Sequence, residues 1–221
     1  MITVHHLNDS RSQRVLWLLE ELSLPYEIQR YQRDPVTMLA PAALQQVHPL
    51  GKSPVIVDGP VTVAESGAII EYLAEGPGQG KLVPAAGTPA HRQYRYWLHF
   101  AEGSAMPPLL LSLIFDRIRT TAPWLVRPVA KGIADKVMGL LVRPNLKRQF
   151  DFIEATLTQQ PWLAGEAFSA ADIQMSFPLE AAASRAGLDA RWPHTLAYLH
   201  RLHARPAYQR ALERGGPYRY A

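Results

Sequence analysis

The chain changes texture once, and that change limits what it can fold into. Before residue 76, short β-branched runs alternate with helical stretches. Glycine and proline then crowd Gly76-Pro77-Gly78-Gln79-Gly80 and Ala85-Ala86-Gly87-Thr88-Pro89, with Leu82-Val83 as the only apolar tie between them. Beyond that stretch every substantial segment reads as helix: Ala90 to about Arg119, Trp124 to Thr158, Ala170 to Arg185 and Pro193 to Arg214. The pattern predicts an α/β domain over 1–76, a linker over 77–88 and an all-helical domain over 89–221. A chain of 221 residues is comfortable for two small domains.

Within the first domain, Ile2 to Leu7 alternates loosely and reads as a strand. From Ser12 the period changes, with Val15, Leu18, Leu19 and Leu22 on one helical face and Glu20 and Glu21 turned outward. Leu24-Pro25 ends that helix, and Tyr26-Glu27-Ile28 reads as a second strand. Val36 to Val47 reads as a further, irregular helix. Pro54 to Val57 and Val61 to Val63 form a hairpin across Asp58-Gly59-Pro60, and Glu65 to Glu75 returns to helical spacing. The order β-α-β-α-β-β-α is a thioredoxin-like layout.

Composition removes several functions. The 23 basic residues barely exceed the 19 acidic ones, and the longest basic cluster, Asn145-Leu146-Lys147-Arg148-Gln149, is a solvated helix face, so no nucleic-acid partner is expected. There are no cysteines, which excludes disulfides, thiolate metal sites and a cysteine nucleophile; no metal is expected. Met1 to His6 begins as a strand and lacks the layout of a signal peptide. Met106 to Phe115, the most apolar run, is broken by Pro107-Pro108 and is too short to span a bilayer. The expectation is a soluble, cytoplasmic protein.

Three short motifs carry chemistry. Leu7-Asn8-Asp9-Ser10-Arg11-Ser12 is a turn that feeds a helix start, where free backbone amides and the positive dipole end favour an anion. A thiol of pKa near about 8.5 is mostly protonated at neutral pH, and a hydroxyl donating to its sulfur favours the thiolate. Ser10 is the candidate donor, with Ser12 near the cap; either serine also suits a plain N-cap, and Arg11 adds charge or is simply solvated. Pro54 opens a strand after a polar loop. A cis bond there would offer the peptide groups of Val55 to an extended ligand, whereas a trans bond would be an ordinary strand start. Glu65-Ser66 precedes a helical run, so Ser66 and the first-turn amides suit a carboxylate and Glu65 an ammonium, the two ends of a free α-amino acid; the same pair also suits a simple helix cap. Lys52 is placed for a second carboxylate, and His48 is equally suited to a structural role.

In order and spacing these motifs resemble the glutathione transferase family over essentially the whole chain. Ser10 precedes Arg14-Val15 as the catalytic hydroxyl does in serine-type members. His48-Pro49-Leu50-Gly51-Lys52-Ser53-Pro54-Val55 resembles the family's loop before a cis-proline, and Glu65-Ser66-Gly67-Ala68-Ile69-Ile70 its acid-serine helix start. Ser169-Ala170-Ala171-Asp172-Ile173 resembles its helix-capping motif, which gives Asp172 a folding role. Asp9-Ser10-Arg11-Ser12, His99 to Ser104, Gln149 to Phe152 and Ala171 to Leu179 are similar to the branch shared by fungi and proteobacteria.

The resemblance implies glutathione as co-substrate, held by Lys52, Val55, Glu65 and Ser66, and its thiolate attacking a small hydrophobic electrophile. It implies a homodimer, with Glu102 reaching a partner's glutathione ammonium. It also implies an electrophile pocket from the helical half, for which Met106, Leu109, Leu110 and Phe115 are candidates or else core or dimer contacts. Tyrosine-type and cysteine-type chemistry do not fit Asn8-Asp9-Ser10. Two alternatives share the same site: glutathione-dependent peroxidase or reductive dehalogenase chemistry, and a non-catalytic interaction protein of this fold.

Overall fold

A computed structural model describes residues 1–220. Strand β1 (Ile2–Leu7) leads into helix α1 (Ser12–Leu22), which ends in a left-handed Ser23 whose amide caps Glu20. Strand β2 (Tyr26–Tyr31) runs parallel to β1. Strands β3 (Val55–Asp58) and β4 (Val61–Ala64) form the hairpin, and helix α2 (Ser66–Glu75) follows. The sheet order is β2-β1-β3-β4, with β3 antiparallel to both neighbours, giving the thioredoxin-like half. The expected helix over Val36 to Val47 is not present. Only a 3₁₀ turn, Ala42–Gln46, forms there, because Pro41 divides the stretch.

The second half is helical: α3 (Pro89–Phe100), α4 (Met106–Thr121), α5 (Arg127–Val137), α6 (Arg143–Gln159), α7 (Ala170–Arg185), α8 (Pro193–His203) and α9 (Pro206–Gly215). Two of the expected helical segments run on through π turns and one divides. Wide π turns at Ala101–Ala105 and Met138–Val142 link α3 to α4 and α5 to α6. The last helix is divided, since Pro206 pushes Arg205 out of the helical region. Pro107-Pro108 do not interrupt the apolar run. They sit in the first turn of α4 just past a π turn, where missing N–H groups are tolerated. Helix therefore continues from Pro89 to Thr121, long and apolar enough by length and composition to cross a membrane, with Trp97, Leu98, Met106 and Leu109 buried in the protein.

Helix α1 joins the two halves. Val15, Leu16, Trp17, Leu18 and Leu19 are all fully buried, because the sheet covers one side of the helix and α2, α7 and α9 cover the other. Glu20 and Glu21 do not face open water. Glu20 pairs with Arg210 and Arg214 at 2.8 and 3.0 Å, and Glu21 takes both nitrogens of Arg205 at 2.5 and 2.9 Å. At the start of α7, Asp172 accepts from the amides of Ser169 and Leu163 and from the hydroxyls of Ser169 and Tyr198, between 2.7 and 3.0 Å. That network locks the segment before α7 onto α8 and leaves Asp172 no free lone-pair direction.

Candidate active site

Residues from four places converge on one cleft. The turn after β1 supplies Arg11, the loop before β3 supplies His48, Leu50, Lys52, Ser53 and Pro54, and the β4–α2 junction supplies Ala64, Glu65 and Ser66. Glu102 comes from the π turn of the helical half. The loop is shaped by Gly51, whose φ is +58° and whose missing Cβ would lie 2.7 Å from Gln45 Cγ, so only glycine fits there. His48 accepts from the Leu50 amide at 3.4 Å, and its carbonyl accepts from Gly51 at 2.8 Å, which makes it the frame of this loop as well as part of the wall. The Ser53–Pro54 peptide bond is cis.

Glu65 holds φ at +70°, a conformation that side chains adopt rarely and that clusters at ligand-holding positions. Its carbonyl starts α2 by accepting from Ile69, at 2.9 Å, and no side chain caps the helix. The first-turn amides and the Ser66 hydroxyl are thus presented at the positive end of α2. Glu65 and Lys52 are exposed and both line the cleft.

Several expected roles move. Val55 is buried and paired in register with His5 on β1 and Ala64 on β4, so its peptide groups belong to the sheet. Ser53, one residue before the proline, lies outside the ladder and lines the cleft. Sequence reasoning missed it because it looked past the proline rather than before it. Ser10 and Ser12 are both buried behind the turn, with Ser12 fully so, and Arg11 alone of the three lines the cleft. Neither serine is the cap of α1, which is Arg11 with no side-chain cap bond; Ser10 Oγ accepts instead from the Ser12 amide at 3.2 Å, and its carbonyl accepts from the Gln13 amide.

Glu102 is not a free acceptor for a partner's ammonium. One oxygen lies 3.2 Å from Arg11 Nε, and the other is bonded to Arg14 of the same chain. Arg14 is buried, and it also donates to the Gln174 carbonyl at 2.5 Å; burial lowers its pKa and the Glu102 charge opposes that. The four candidates on α4 do not share a surface either. Met106 and Leu109 are core residues, Leu110 is 49% exposed, and Phe115 lies half a turn around the helix from Met106. No group of three or more His, Asp and Glu side chains able to hold a metal occurs among the described residues.

The model of the glutathione S-transferase N-terminal domain matches residues 10–75, and that of the C-terminal domain matches residues 123–206. The chain belongs to the glutathione S-transferase family. Glutathione S-transferase 3 of Schizosaccharomyces pombe is 40% identical over 82% of this chain and 74% of its own length. Glutathione S-transferase 1 of Saccharomyces cerevisiae is 36% identical over 84% and 82%. The crystal structure of a glutathione S-transferase from Actinobacillus pleuropneumoniae superposes with a TM-score of 0.81 at 32% identity, covering 97% of this chain and 93% of the other. The thioredoxin-like half of this transferase thus supplies the cleft, and the helical half closes one end of it through Glu102.

Proposed function

We propose that the cleft binds glutathione and ionises its thiol for attack on a small hydrophobic electrophile. The observation that carries this reading is the convergence of Lys52, Ser53, Glu65 and Ser66 on one cleft. That set complements a peptide with a carboxylate at each end and an ammonium at one. The start of α2 and Ser66 take the γ-glutamyl carboxylate, Glu65 takes the adjacent ammonium, and Lys52 takes the glycine carboxylate. The peptide groups of Ser53, outside the ladder, pair with the cysteinyl backbone as a short extra strand. The thiol then lies toward the β1–α1 turn. There Ser10, nearly fully buried beside the cleft-lining Arg11, is its hydrogen-bond donor once its hydroxyl turns outward from Ser12, and the Arg11 guanidinium and the end of α1 favour negative charge on sulfur. The thiolate forms a thioether with the electrophile, whose leaving group departs with the electron pair.

The enzyme acts as a homodimer in a reducing compartment, the cytoplasm. Leu110, Leu113, Ile114 and Ile118 leave an apolar band exposed on α4, which supports a helical face covered by a second copy. Incubation with glutathione and an activated aryl halide tests the reaction, with products identified by mass spectrometry. A thioether conjugate is expected. Oxidised glutathione formed from an organic peroxide, without conjugate, would replace transfer by peroxidase chemistry. Tight glutathione binding with neither product would leave a binding protein.

A further inference from the structure

Behind the cleft runs a buried hydrogen-bonded chain of which the reaction above uses only Ser10. Ser10 Oγ lies 2.7 Å from Ser12 Oγ, and Ser12 Oγ lies 2.8 Å from Nδ1 of His6 on β1. All three residues are buried. The Leu7 amide approaches Ser12 Oγ and Ser53 Oγ at 3.2 Å each, which ties the chain to the wall of the cleft. Burial, reinforced by the Arg30 charge, pushes the His6 pKa down to about 4, against a smaller upward pull from the Gly215 backbone. The imidazole is therefore neutral at physiological pH and carries a single N–H.

The position of that one proton decides what Ser10 can do. With the proton on Nε2, Nδ1 accepts the Ser12 proton and Ser12 Oγ accepts the Ser10 proton. Both hydroxyls then point inward, and Ser10 turns only lone pairs toward a thiolate, which repel it. With the proton on Nδ1 the chain reverses. Nδ1 donates to Ser12, whose proton goes to Ser10 at 2.7 Å in preference to the more distant Leu7 carbonyl at 3.2 Å, and the Ser10 proton is left for an acceptor outside the chain. The Ser12 amide, 3.2 Å from Ser10 Oγ, fills another of its lone pairs, so in the reversed chain both are taken and only the proton is free.

We propose that His6 is a positioning residue for thiol activation, its Nδ1–H form turning the Ser12 and Ser10 hydroxyls outward so that Ser10 donates to the sulfur. This rests on Ser10 being the thiolate's partner. The thiol proton leaves to solvent, and the chain gains or loses none; the ring proton only moves from one nitrogen to the other. The ring borders a second cavity of about 460 Å³ lined also by Asp9, Arg30, Tyr31, Tyr218 and Arg219, through which water can reach it for that exchange. The charge on the thiolate draws the chain into the outward direction.

The test is the thiol pKa of bound glutathione, by ultraviolet thiolate absorbance, in wild type, Ser10→Ala, Ser12→Ala, His6→Leu and His6→Asn. Asparagine places an amide nitrogen near the Nδ1 position, a donor that cannot tautomerise. His6→Leu and Ser12→Ala are expected to raise the thiol pKa by about one unit, roughly tenfold in thiolate, with glutathione affinity held within about twofold. His6→Asn is expected to return the pKa to the wild-type value or below. Nitrogen-15 NMR of the complex is expected to show His6 protonated on Nδ1. If Ser10→Ala raises the pKa and His6→Leu does not, or if the complex keeps the Nε2–H form, His6 is structural and the proposal falls while the transferase reading stands. An unshifted wild-type pKa, or one that Ser10→Ala leaves in place, sinks the role of Ser10 and this inference with it. Should His6→Leu fail to fold, Ser12→Ala decides in its stead, since an unchanged pKa there overturns the relay.

Discussion

The two sides of the β1–α1 turn use similar residues in opposite ways. On the cleft side Arg11, Ser53, Glu65 and Ser66 border open space, and their polar groups await a ligand. On the inner side Arg14, Ser12 and His6 are buried and engaged with one another or with the helical half. Arg11 and Arg14 show the contrast most directly. They are three residues apart, both contact Glu102 and both lie 5.8 Å from the Phe177 ring, yet one lines the cleft and the other is sealed in the domain interface. Proximity in sequence thus says little about which member of a polar motif meets substrate. A buried polar group must satisfy its hydrogen bonds within the protein, whereas one in the cleft can exchange water for ligand.

That contrast breaks most visibly at Arg14. Replacing it by methionine removes a buried charge from Glu102 and leaves the Gln174 carbonyl without its donor, so stability should fall by about 3 to 5 kcal/mol in urea denaturation. A loss below about 1 kcal/mol would mean that the interface does not depend on it. Acid probes the same inner side through His6, whose pKa falls from 6.5 to about 4 on folding. The unfolded chain binds the proton first, so stability is complete above pH 6.5 and declines as pH drops toward 4. The decline reaches about 3 kcal/mol in all. His6→Asn should flatten that part of the pH–stability curve, and an unaltered slope would assign it to other groups.

On the cleft side the effects fall on binding rather than folding. Ser66→Ala should weaken glutathione affinity about tenfold by calorimetry, which is about 1.4 kcal/mol, with an unchanged melting temperature. A drop in melting temperature with intact affinity would return Ser66 to the inner class. The smallest change is expected at Leu110, exposed on α4, where alanine should alter monomer stability by no more than about 0.5 kcal/mol. A larger loss accompanied by dissociation in light scattering would place Leu110 in the dimer interface.

Periodicity and punctuation made most of the fold legible. The shift from period two to a helical period at Ser12, the Asp58-Gly59-Pro60 hairpin and the glycine-proline stretch before Pro89 are local signals with local causes. The failures are also physical. Between Val36 and Val47 Pro41 overrode a weak helical pattern, and at Pro107-Pro108 a π turn absorbed two prolines that looked like a break. Glu20 and Glu21 looked like a solvated face until α9 and Arg205 supplied their cations from about 190 residues away, a separation no local pattern encodes.

The sequence by itself determined the two-part architecture, the turn that leads from β1 into α1, the loop that ends at Pro54 and the acid-serine start of α2. Each of these is a property of a few neighbouring residues. Only the tertiary structure decided that Val55 belongs to the sheet and Ser53 to the cleft, that Glu102 is neutralised within its own chain, and that His6 stands behind the two serines. Those outcomes depend on strand register, on the docking of the helical half and on burial. All three are set by contacts between segments far apart in the chain.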